Sequence, residues 1–265
     1  MSNSPVSIAD EIDSHTGPDF MTSLARGLAV LRAFSDQRRS LTIAQISHRT
    51  GISRAAVRRC LHTLCELGYA EVDGSLFTLQ SKVLTLGYSY LSSTPLTVST
   101  APYLNRISRT LNESCSLAVL QEDEILYVAR SATSRIMSVS LNTGSRLPAY
   151  CTSLGRVMLA QLPDEALDAY LARVKLQAYT EKTIVSATRL RAVLAEVRES
   201  GYALNDEELE LGLRSLAVPV RGASGNVLAA LNVGVQASRV SAAYMVEVFL
   251  PTLQEGAREL SVLLP

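Results

Sequence analysis

Three basic residues spaced four apart carry the clearest chemistry in this sequence of 265 residues. Arg54, Arg58 and His62 fall on one face of a helix predicted over residues 54–67, opposite its apolar face. A guanidinium group can donate two hydrogen bonds to guanine in the DNA major groove, and its charge pairs with backbone phosphates. The same spacing also occurs on the solvated face of an ordinary helix, so the neighbouring elements must decide between the two interpretations.

The preceding elements position this helix as the second half of a helix-turn-helix. Amphipathic helices are predicted over residues 22–35 and 43–49, and Thr42 is the expected cap of the second. Residues 50–53 (TGIS) then form a tight turn, because glycine tolerates the left-handed conformation and the serine can cap the next helix. In a helix-turn-helix that next helix enters the major groove.

A predicted hairpin after the helix completes a winged helix. Residues 69–72 and 76–79 have the pattern of two strands on either side of a glycine turn, which would be the wing. Residues 21–82 carry nine basic and four acidic side chains, whereas the whole chain has 25 of each. Phosphate contacts need positive charge only where the duplex docks, so this distribution is typical of a modular DNA-binding protein.

We therefore predict that residues 21–80 form a winged helix-turn-helix domain that binds double-stranded DNA. The first residues of its recognition helix would meet base edges, where small side chains allow close approach, while the start of the first helix touches the phosphate backbone. The predicted DNA-binding residues are Ser23, Arg26, Thr42, Ser53, Arg54, Ala55, Arg58, Arg59, His62 and Thr63.

The rest of the chain is predicted to hold a tail, a linker and a second domain. Residues 1–20 are polar and lack apolar periodicity, which indicates a flexible tail. Residues 81–95 form a predicted linker helix that is apolar on most sides and needs a partner, which favours dimerisation. Residues 96–265 are predicted as an α+β, GAF-like domain with an antiparallel sheet and helices at its edges. Its strands are expected at residues 115–120, 125–130, 136–141, 216–220 and 227–235, and its helices at 98–111, 153–161, 164–172, 187–200 and 240–263.

Several classes of function find no support in the sequence. The histidines, His15, His48 and His62, all precede the second domain, which therefore lacks imidazole for a catalytic relay or a metal site. No glycine-rich nucleotide-binding motif and no bilayer-spanning apolar run occurs, and four cysteines without a CxxC pair indicate reduced thiols in the cytoplasm. We expect no enzyme activity, cofactor, metal or membrane association. Catalysis would have to use Cys151 or the acidic residues 206–210.

Six segments together resemble the IclR family of bacterial transcriptional regulators. Three lie in the predicted DNA-binding domain and three in the second domain: residues 23–31 (SLARGLAVL), 50–54 (TGISR), 59–69 (RCLHTLCELGY), 144–149 (GSRLPA), 152–157 (TSLGRV) and 206–219 (DEELELGLRSLAVP). Four more are similar to the branch of the family that controls aromatic-acid breakdown through the β-ketoadipate pathway: residues 84–93 (LTLGYSYLSS), 113–116 (ESCS), 127–130 (YVAR) and 135–138 (RIMS). The resemblance runs from about residue 23 to the end of the chain.

The resemblance implies a DNA-binding regulator whose second domain senses a small carboxylic acid, such as 4-hydroxybenzoate, protocatechuate or β-ketoadipate. It places the carboxylate on backbone amides where the helix after Thr152 begins, since the N-terminus of a helix favours an anion. Residue by residue, the expected effector-binding positions are Val139, Leu147, Ser153, Leu154, Gly155, Asn205, Ser215, Asn232 and Gly234.

Several points stay open within this resemblance. Asn205 and Asn232 depart from the small acidic or hydroxyl residues common at these positions in the family, which leaves the polar groups of the effector undetermined. Four arginines could pair with its carboxylate or could equally form salt bridges within the protein: Arg130, Arg146, Arg156 and Arg214. The alternatives are a regulator of another carboxylate pathway and one whose second domain only oligomerises. The family resemblance implies self-association as a dimer or tetramer.

Overall fold

The computed structural model describes residues 8–15, 17–34, 38–86, 100–133 and 141–262, and the chain divides into two compact units. The first unit spans Met1–Tyr90 and the second Leu91–Pro265. Of the linker helix predicted over residues 81–95, Ser81–Val83 form a 3₁₀ turn and residues 84–86 continue as helix. The remainder of that predicted helix lies outside the described residues.

The first unit is a winged helix-turn-helix, as predicted. Its elements are α1 (Ile8–Asp13), α2 (Thr22–Arg32), β1 (Ser40–Leu41), α3 (Ile43–Thr50), α4 (Arg54–Glu66), β2 (Ala70–Asp73) and β3 (Leu76–Leu79). The strands pair antiparallel in the order β1-β3-β2, with Val72 opposite Phe77 in the wing. The core is formed by helix side chains such as Val30, Ile46 and Leu61, none of which has exposed surface.

The expectation of a flexible tail over residues 1–20 does not hold for the part of that segment that the structure describes. Ile8–Asp13 form helix α1, and the Ile12 side chain is buried in the core of the first unit. A helix of six residues is too short to show apolar periodicity, and it is stabilised by packing rather than by its own propensity. The sequence pattern therefore could not reveal it.

The second unit is α+β, as predicted. Its strands are β4 (Ser114–Gln121), β5 (Glu124–Ser131), β6 (Arg146–Pro148), β7 (Ala203–Asp206), β8 (Leu213–Arg221) and β9 (Val227–Gln236). They pair antiparallel in the order β6-β5-β4-β9-β8-β7. The helices are α5 (Ala101–Leu111), α6 (Ser153–Leu159), α7 (Asp164–Arg173), α8 (Ala187–Ser200) and α9 (Leu250–Ser261), the last preceded by a helical turn (Ala242–Tyr244) and a π-helical turn (Met245–Phe249).

Two edge strands, β6 and β7, were not predicted, because segments of three and four residues are too short to show alternation. The strand predicted over residues 136–141 lies outside the described residues apart from Leu141, which is not in a strand.

The sheet of the second unit separates two apolar cores. On one face, residues such as Leu216 and Leu231 pack against α5 and α9. On the other face, Ala217 and Ala230 pack with residues of α6, α7 and α8. Side chains alternate between the faces along each strand, so these small residues bring the second group of helices close to the sheet.

No helix in the described ranges combines the length and the apolar character needed to cross a membrane. The same ranges contain no group of three or more His, Cys, Asp or Glu side chains arranged to hold a metal ion.

Candidate DNA-binding surface and candidate effector cavity

The turn between α3 and α4 is held by hydrogen bonds from its own residues. Gly51 adopts the left-handed conformation, with a φ of 73°, which glycine tolerates because it has no Cβ. The Thr50 hydroxyl donates to the Ile46 carbonyl at 2.8 Å and accepts from the Ile52 amide at 3.3 Å. The Ser53 hydroxyl then caps α4 by accepting from an amide of its first turn. The turn that directs α4 away from α3 therefore follows from the local sequence.

Helix α4 presents a cationic face to solvent. Val57 and Leu61 have no exposed surface, whereas Arg54, Arg58 and His62 on the opposite face are exposed. Neither arginine forms an ion pair with a carboxylate of the described ranges. Exposed guanidinium groups without an internal partner attract an anionic polymer such as DNA.

The wing adds shape to this surface rather than charge. Arg58 and His62 line a groove whose other side includes Gly74 and Ser75 of the wing turn. Residues 70–79 contain two acidic side chains and no basic one. Of the wing and α4, only α4 carries basic side chains that can attract phosphates.

The residues predicted to touch DNA fall into two groups. Arg26 and Thr42 are partly buried and already bonded: Arg26 donates to Asp13 at 2.9 Å, and the Thr42 hydroxyl accepts from the Gln45 amide in a capping box. Contact with DNA stays a prediction for all ten. The other eight have exposed side chains: Ser23, Ser53, Arg54, Ala55, Arg58, Arg59, His62 and Thr63.

The candidate effector cavity lies on the α6 side of the six-stranded sheet. One row of paired residues crosses four strands there: Ser114 on β4 is opposite Gly234 on β9, which is opposite Ser215 on β8, which is opposite Asn205 on β7. None of the four carries a bulky side chain, so the sheet leaves room in front of α6.

Helix α6 closes one side of the cavity at short range. Its cap is Thr152, whose hydroxyl accepts from the Gly155 amide at 3.1 Å. A Cβ on Gly155 would lie 2.1 Å from the carbonyl oxygen of Ala149, so only glycine lets the helix approach that backbone segment. The Ser153 hydroxyl, at the start of the helix, donates to the Ser215 hydroxyl at 2.8 Å. The helix start therefore meets the row of sheet residues directly.

The cavity combines hydrogen-bonding groups with apolar side chains, as small-molecule sites do. The space inside it that the centre of a water molecule can reach is about 40 Å³, so the cavity is narrow. Asn205 is buried and donates to the Cys151 carbonyl at 3.0 Å. The described lining residues are Ser114, Tyr127, Arg130, Leu141, Leu147, Cys151, Thr152, Ser153, Asn205, Leu209, Leu213, Ser215, Asn232 and Gly234.

Most of the predicted effector-binding residues meet around this cavity, although two do not. Leu154 has no exposed surface and packs into the core shared by α6, α7 and α8, and Gly155 faces the Ala149 backbone. Successive residues of a helix point about 100° apart, so the residues after Ser153 turn away from the cavity. Val139 lies outside the described residues. The six that line the cavity are Leu147, Ser153, Asn205, Ser215, Asn232 and Gly234.

One of the four candidate arginines reaches the cavity. Arg130 is part of its lining. The others are already bound to carboxylates of the same unit, in the pairs Arg146–Glu124, Arg156–Glu208 and Arg214–Asp206. These three arginines have a structural role in the described protein.

Burial suppresses ionisation within the cavity. It raises the pKa of the Cys151 thiol to about 12 and that of the Tyr127 phenol to about 12. It also lowers the pKa of Arg130, because removal from water disfavours the charged form. At neutral pH Cys151 is a thiol rather than a nucleophilic thiolate, so its environment does not support catalysis by this residue.

Comparison with protein families identifies both units. The IclR helix-turn-helix domain matches residues 23–74, and the C-terminal domain of the bacterial transcriptional regulator IclR matches residues 88–262. The chain belongs to the IclR family. The cationic α4 face therefore lies in an IclR helix-turn-helix domain, and the cavity lies in an IclR C-terminal domain.

Individual relatives place this IclR chain more narrowly. The Pca regulon regulatory protein of Pseudomonas putida is 56% identical over 95% of this chain and 87% of its own length. The crystal structure of the transcriptional regulator RHA06195 from Rhodococcus sp. RHA1 matches with a TM-score of 0.82. Its sequence is 44% identical, over 92% of this chain and 98% of its own. The inducer-binding domain of PobR from Acinetobacter, solved as a double mutant with 3-hydroxybenzoic acid, is 36% identical over 62% of this chain and 97% of its own, with a TM-score of 0.59. The predicted family and its aromatic-acid branch are confirmed.

Sequence reasoning missed part of the cavity lining of this IclR domain, notably Ser114, Tyr127, Leu209 and Leu213. Signals for them were present. Ser114 and Tyr127 fall in two segments that are similar to the aromatic-acid branch, and the two leucines fall in the segment over residues 206–219 that resembles the family. Their side chains join the cavity because the strands and loops that carry them meet in the tertiary structure.

Proposed function

We propose that this protein is a DNA-binding transcriptional regulator that responds to a small organic acid and controls genes of aromatic catabolism. The observation that carries the proposal is a cavity in an IclR C-terminal domain in which hydrogen-bonding groups are set among apolar side chains. One relative is named for the Pca regulon, and the inducer-binding domain of another was solved with a hydroxybenzoic acid. The effector is an aromatic acid or a pathway intermediate: 4-hydroxybenzoate, protocatechuate or β-ketoadipate.

The DNA-binding step belongs to helix α4. Its exposed arginines, Arg54 and Arg58, can meet guanine edges in the major groove, and Ser53 and Ala55 at its start are small enough for close approach. His62 lies one further turn along the same face. A bacterial regulator that binds its operator in this way acts in the cytoplasm.

The acid acts by shifting a conformational equilibrium. An effector that binds one conformation more tightly than another changes the DNA affinity by the ratio of those affinities. We propose that the working form is a dimer or tetramer, because a symmetric assembly presents two recognition helices to two half-sites of an operator. The buried thiol of Cys151 and the ion-paired acids Asp206 and Glu208 favour regulation over enzymatic turnover.

Two alternative functions differ from this proposal in what the second unit does. In one, the second unit only oligomerises; in the other, it senses an acid of a different pathway. The cavity favours ligand binding over simple oligomerisation. A ligand that binds only the folded state raises the thermal midpoint, so a heat-stability screen with carboxylic acids separates the two.

The direct test is binding of the purified protein to the intergenic DNA upstream of its own gene, at fixed salt, with and without each of the three acids. We expect a specific complex whose affinity changes with at least one acid. A specific complex that is indifferent to all three would contradict the assignment to aromatic acids. The absence of any specific complex would contradict the DNA-binding function.

A variant of the recognition helix tests the interface itself. Arg58→Gln is expected to weaken specific binding about 5- to 150-fold, the factor that corresponds to the loss of one good arginine–guanine contact. It should also reduce the slope of log affinity against log salt by about one if the arginine also contacts a phosphate. Arg189→Gln, at an exposed position on α8, is the matched control and should leave binding unchanged.

A further inference from the structure

We propose that Arg130, rather than the backbone amides at the start of α6 that the family resemblance implies, holds the carboxylate of the effector. The hydroxyl pair of Ser153 and Ser215 then receives the second polar group of the effector. The inference deepens the proposed function and rests on it. It specifies the ligand as a small acid that carries a carboxylate and a second hydrogen-bonding group, separated by one ring or a short chain.

A β-bulge brings Arg130 into the cavity. In the pairing of β4 with β5, Ala118 is opposite Tyr127 while the residue before Ala118 is opposite Ala129, so Val128 is an extra residue on β5. Strict alternation would turn Tyr127 and Arg130, three positions apart, to opposite faces of the sheet. The extra residue shifts the register, and both side chains line the cavity.

The guanidinium group of Arg130 is bonded on one side only. Nη1 donates to the Ser116 hydroxyl at 3.0 Å, whereas Nε is fully buried and has no hydrogen-bond partner. No carboxylate of the described ranges pairs with it. Eight other arginines of the same unit do form ion pairs: Arg106, Arg146, Arg156, Arg173, Arg191, Arg198, Arg214 and Arg239.

An uncompensated cation in this position needs an anion. Burial lowers the pKa of Arg130, and the buried Nε loses its hydration without gaining a partner. A carboxylate can accept from Nε and from a terminal nitrogen at once, which is the strongest arrangement for this pair. Arg130 is also the one charged side chain among the described lining residues, so no acid of that lining competes with the ligand.

The residues that would bind the second polar group of the ligand lie across the sheet from Arg130. Strand β8, which carries Ser215, lies three strands from β5, which carries Arg130. With strands about 4.8 Å apart, their backbones are separated by roughly 14 Å. The long arginine side chain takes up part of that distance, which leaves a span suited to one ring or a short chain. The hydroxyls of Ser153 and Ser215, 2.8 Å apart, keep free lone pairs and one proton to share with a ligand.

Calorimetric titration of the full-length protein tests the assignment. The probes are 4-hydroxybenzoate, protocatechuate and β-ketoadipate, together with benzoate, which lacks the second hydrogen-bonding group. Arg130→Met is expected to weaken each acid that the wild type binds by about 10- to 100-fold, the usual factor for losing a charged hydrogen-bonding partner. Arg146→Met is the matched control: it removes an arginine already paired with Glu124, and acid binding should change by less than about twofold.

Thermal unfolding without acid separates ligand binding from a structural role. Because Arg130 is an uncompensated charge, its replacement by methionine should leave the midpoint unchanged or raise it. A lower midpoint would assign Arg130 to the fold and overturn the inference.

The outcomes also distinguish the inference from the function on which it rests. A wild type that binds none of the acids would overturn the proposed function, and the inference would fall with it. A wild type that binds an acid, with an Arg130→Met variant that binds it equally well, would overturn the inference alone.

Discussion

Removal of Arg156 should destabilise the second unit strongly, whereas removal of both partners of its ion pair should destabilise it less. Arg156 and Glu208 share two hydrogen bonds of 2.6 Å, with side chains only 3% and 10% exposed. Arg156 Nε donates to the Tyr150 carbonyl at 2.9 Å, and Glu208 accepts from the Ile184 amide at 3.1 Å. The pair ties α6 to the loop that contributes Leu209 to the cavity.

The magnitude follows from what each variant leaves behind. Arg156→Met leaves the Glu208 carboxylate buried with the Ile184 amide as its remaining partner, and breaking a buried pair in this way costs about 3–5 kcal/mol. For a domain of this size, each kcal/mol lowers the midpoint by about 2–4 °C, so the expected fall is about 6–20 °C. Replacing both residues with apolar side chains of similar volume is close to neutral. The lost acceptor for the Ile184 amide adds a cost of about 1–3 kcal/mol.

The assay is thermal unfolding of wild type, Arg156→Met and the double variant Arg156→Met/Glu208→Leu. Hydrogen exchange at the amides of α6 assigns the transition to the second unit. We expect a large fall in the midpoint for the single variant and recovery of part of it in the double variant. A single variant within about 2 °C of wild type, or a double variant no better than the single one, would refute the reasoning.

Two further predictions concern the same side of the sheet. Gly155→Ala should lower both the thermal midpoint and the acid affinity, because its Cβ would lie 2.1 Å from the Ala149 carbonyl oxygen and push the start of α6 away. This clash should outweigh the higher helix propensity of alanine, which is worth about 1 kcal/mol. Unchanged affinity in titration and an unchanged midpoint in thermal unfolding would contradict this prediction. Burial raises the pKa of the Cys151 thiol to about 12, so its thiolate fraction at pH 8 is on the order of 10⁻⁴. Cys151 should therefore resist alkylation in the native protein at this pH. If mass spectrometry finds that it is labelled as fast as in denaturant, the thiol is open to solvent and the prediction is wrong.

Local signals were sufficient for the helix-turn-helix and the wing of the first unit. Thr42, Gly51 and Ser53 act in the structure as the sequence predicts, because caps and turns depend on residues within about four positions. The cationic face of α4 follows from helical periodicity in the same way. Helix α1 escaped prediction because its stability comes from the burial of Ile12 against other helices, which no six-residue pattern reveals.

The cavity was predictable only in part. Six of the nine expected effector-binding residues line the cavity, whereas Leu154 and Gly155, which follow Ser153 in α6, do not. A motif marks the segment that approaches a ligand, but the helical rotation decides which of its side chains faces the ligand. The short edge strands β6 and β7 form because β5 and β8 lie beside them. Their own residues are too few to show a strand pattern.

Local sequence patterns thus predict the fold class of both units, the helix-turn-helix and the family. Long-range packing settles which arginine meets the cavity. Arg146, Arg156 and Arg214 find carboxylates in other elements of the fold, whereas Arg130 finds none in the described ranges. Even the direction of Arg130 depends on the bulge at Val128, which exists only in the pairing of β5 with β4. Ion pairing and strand register join residues that are distant in the chain, so no local pattern could have separated these arginines.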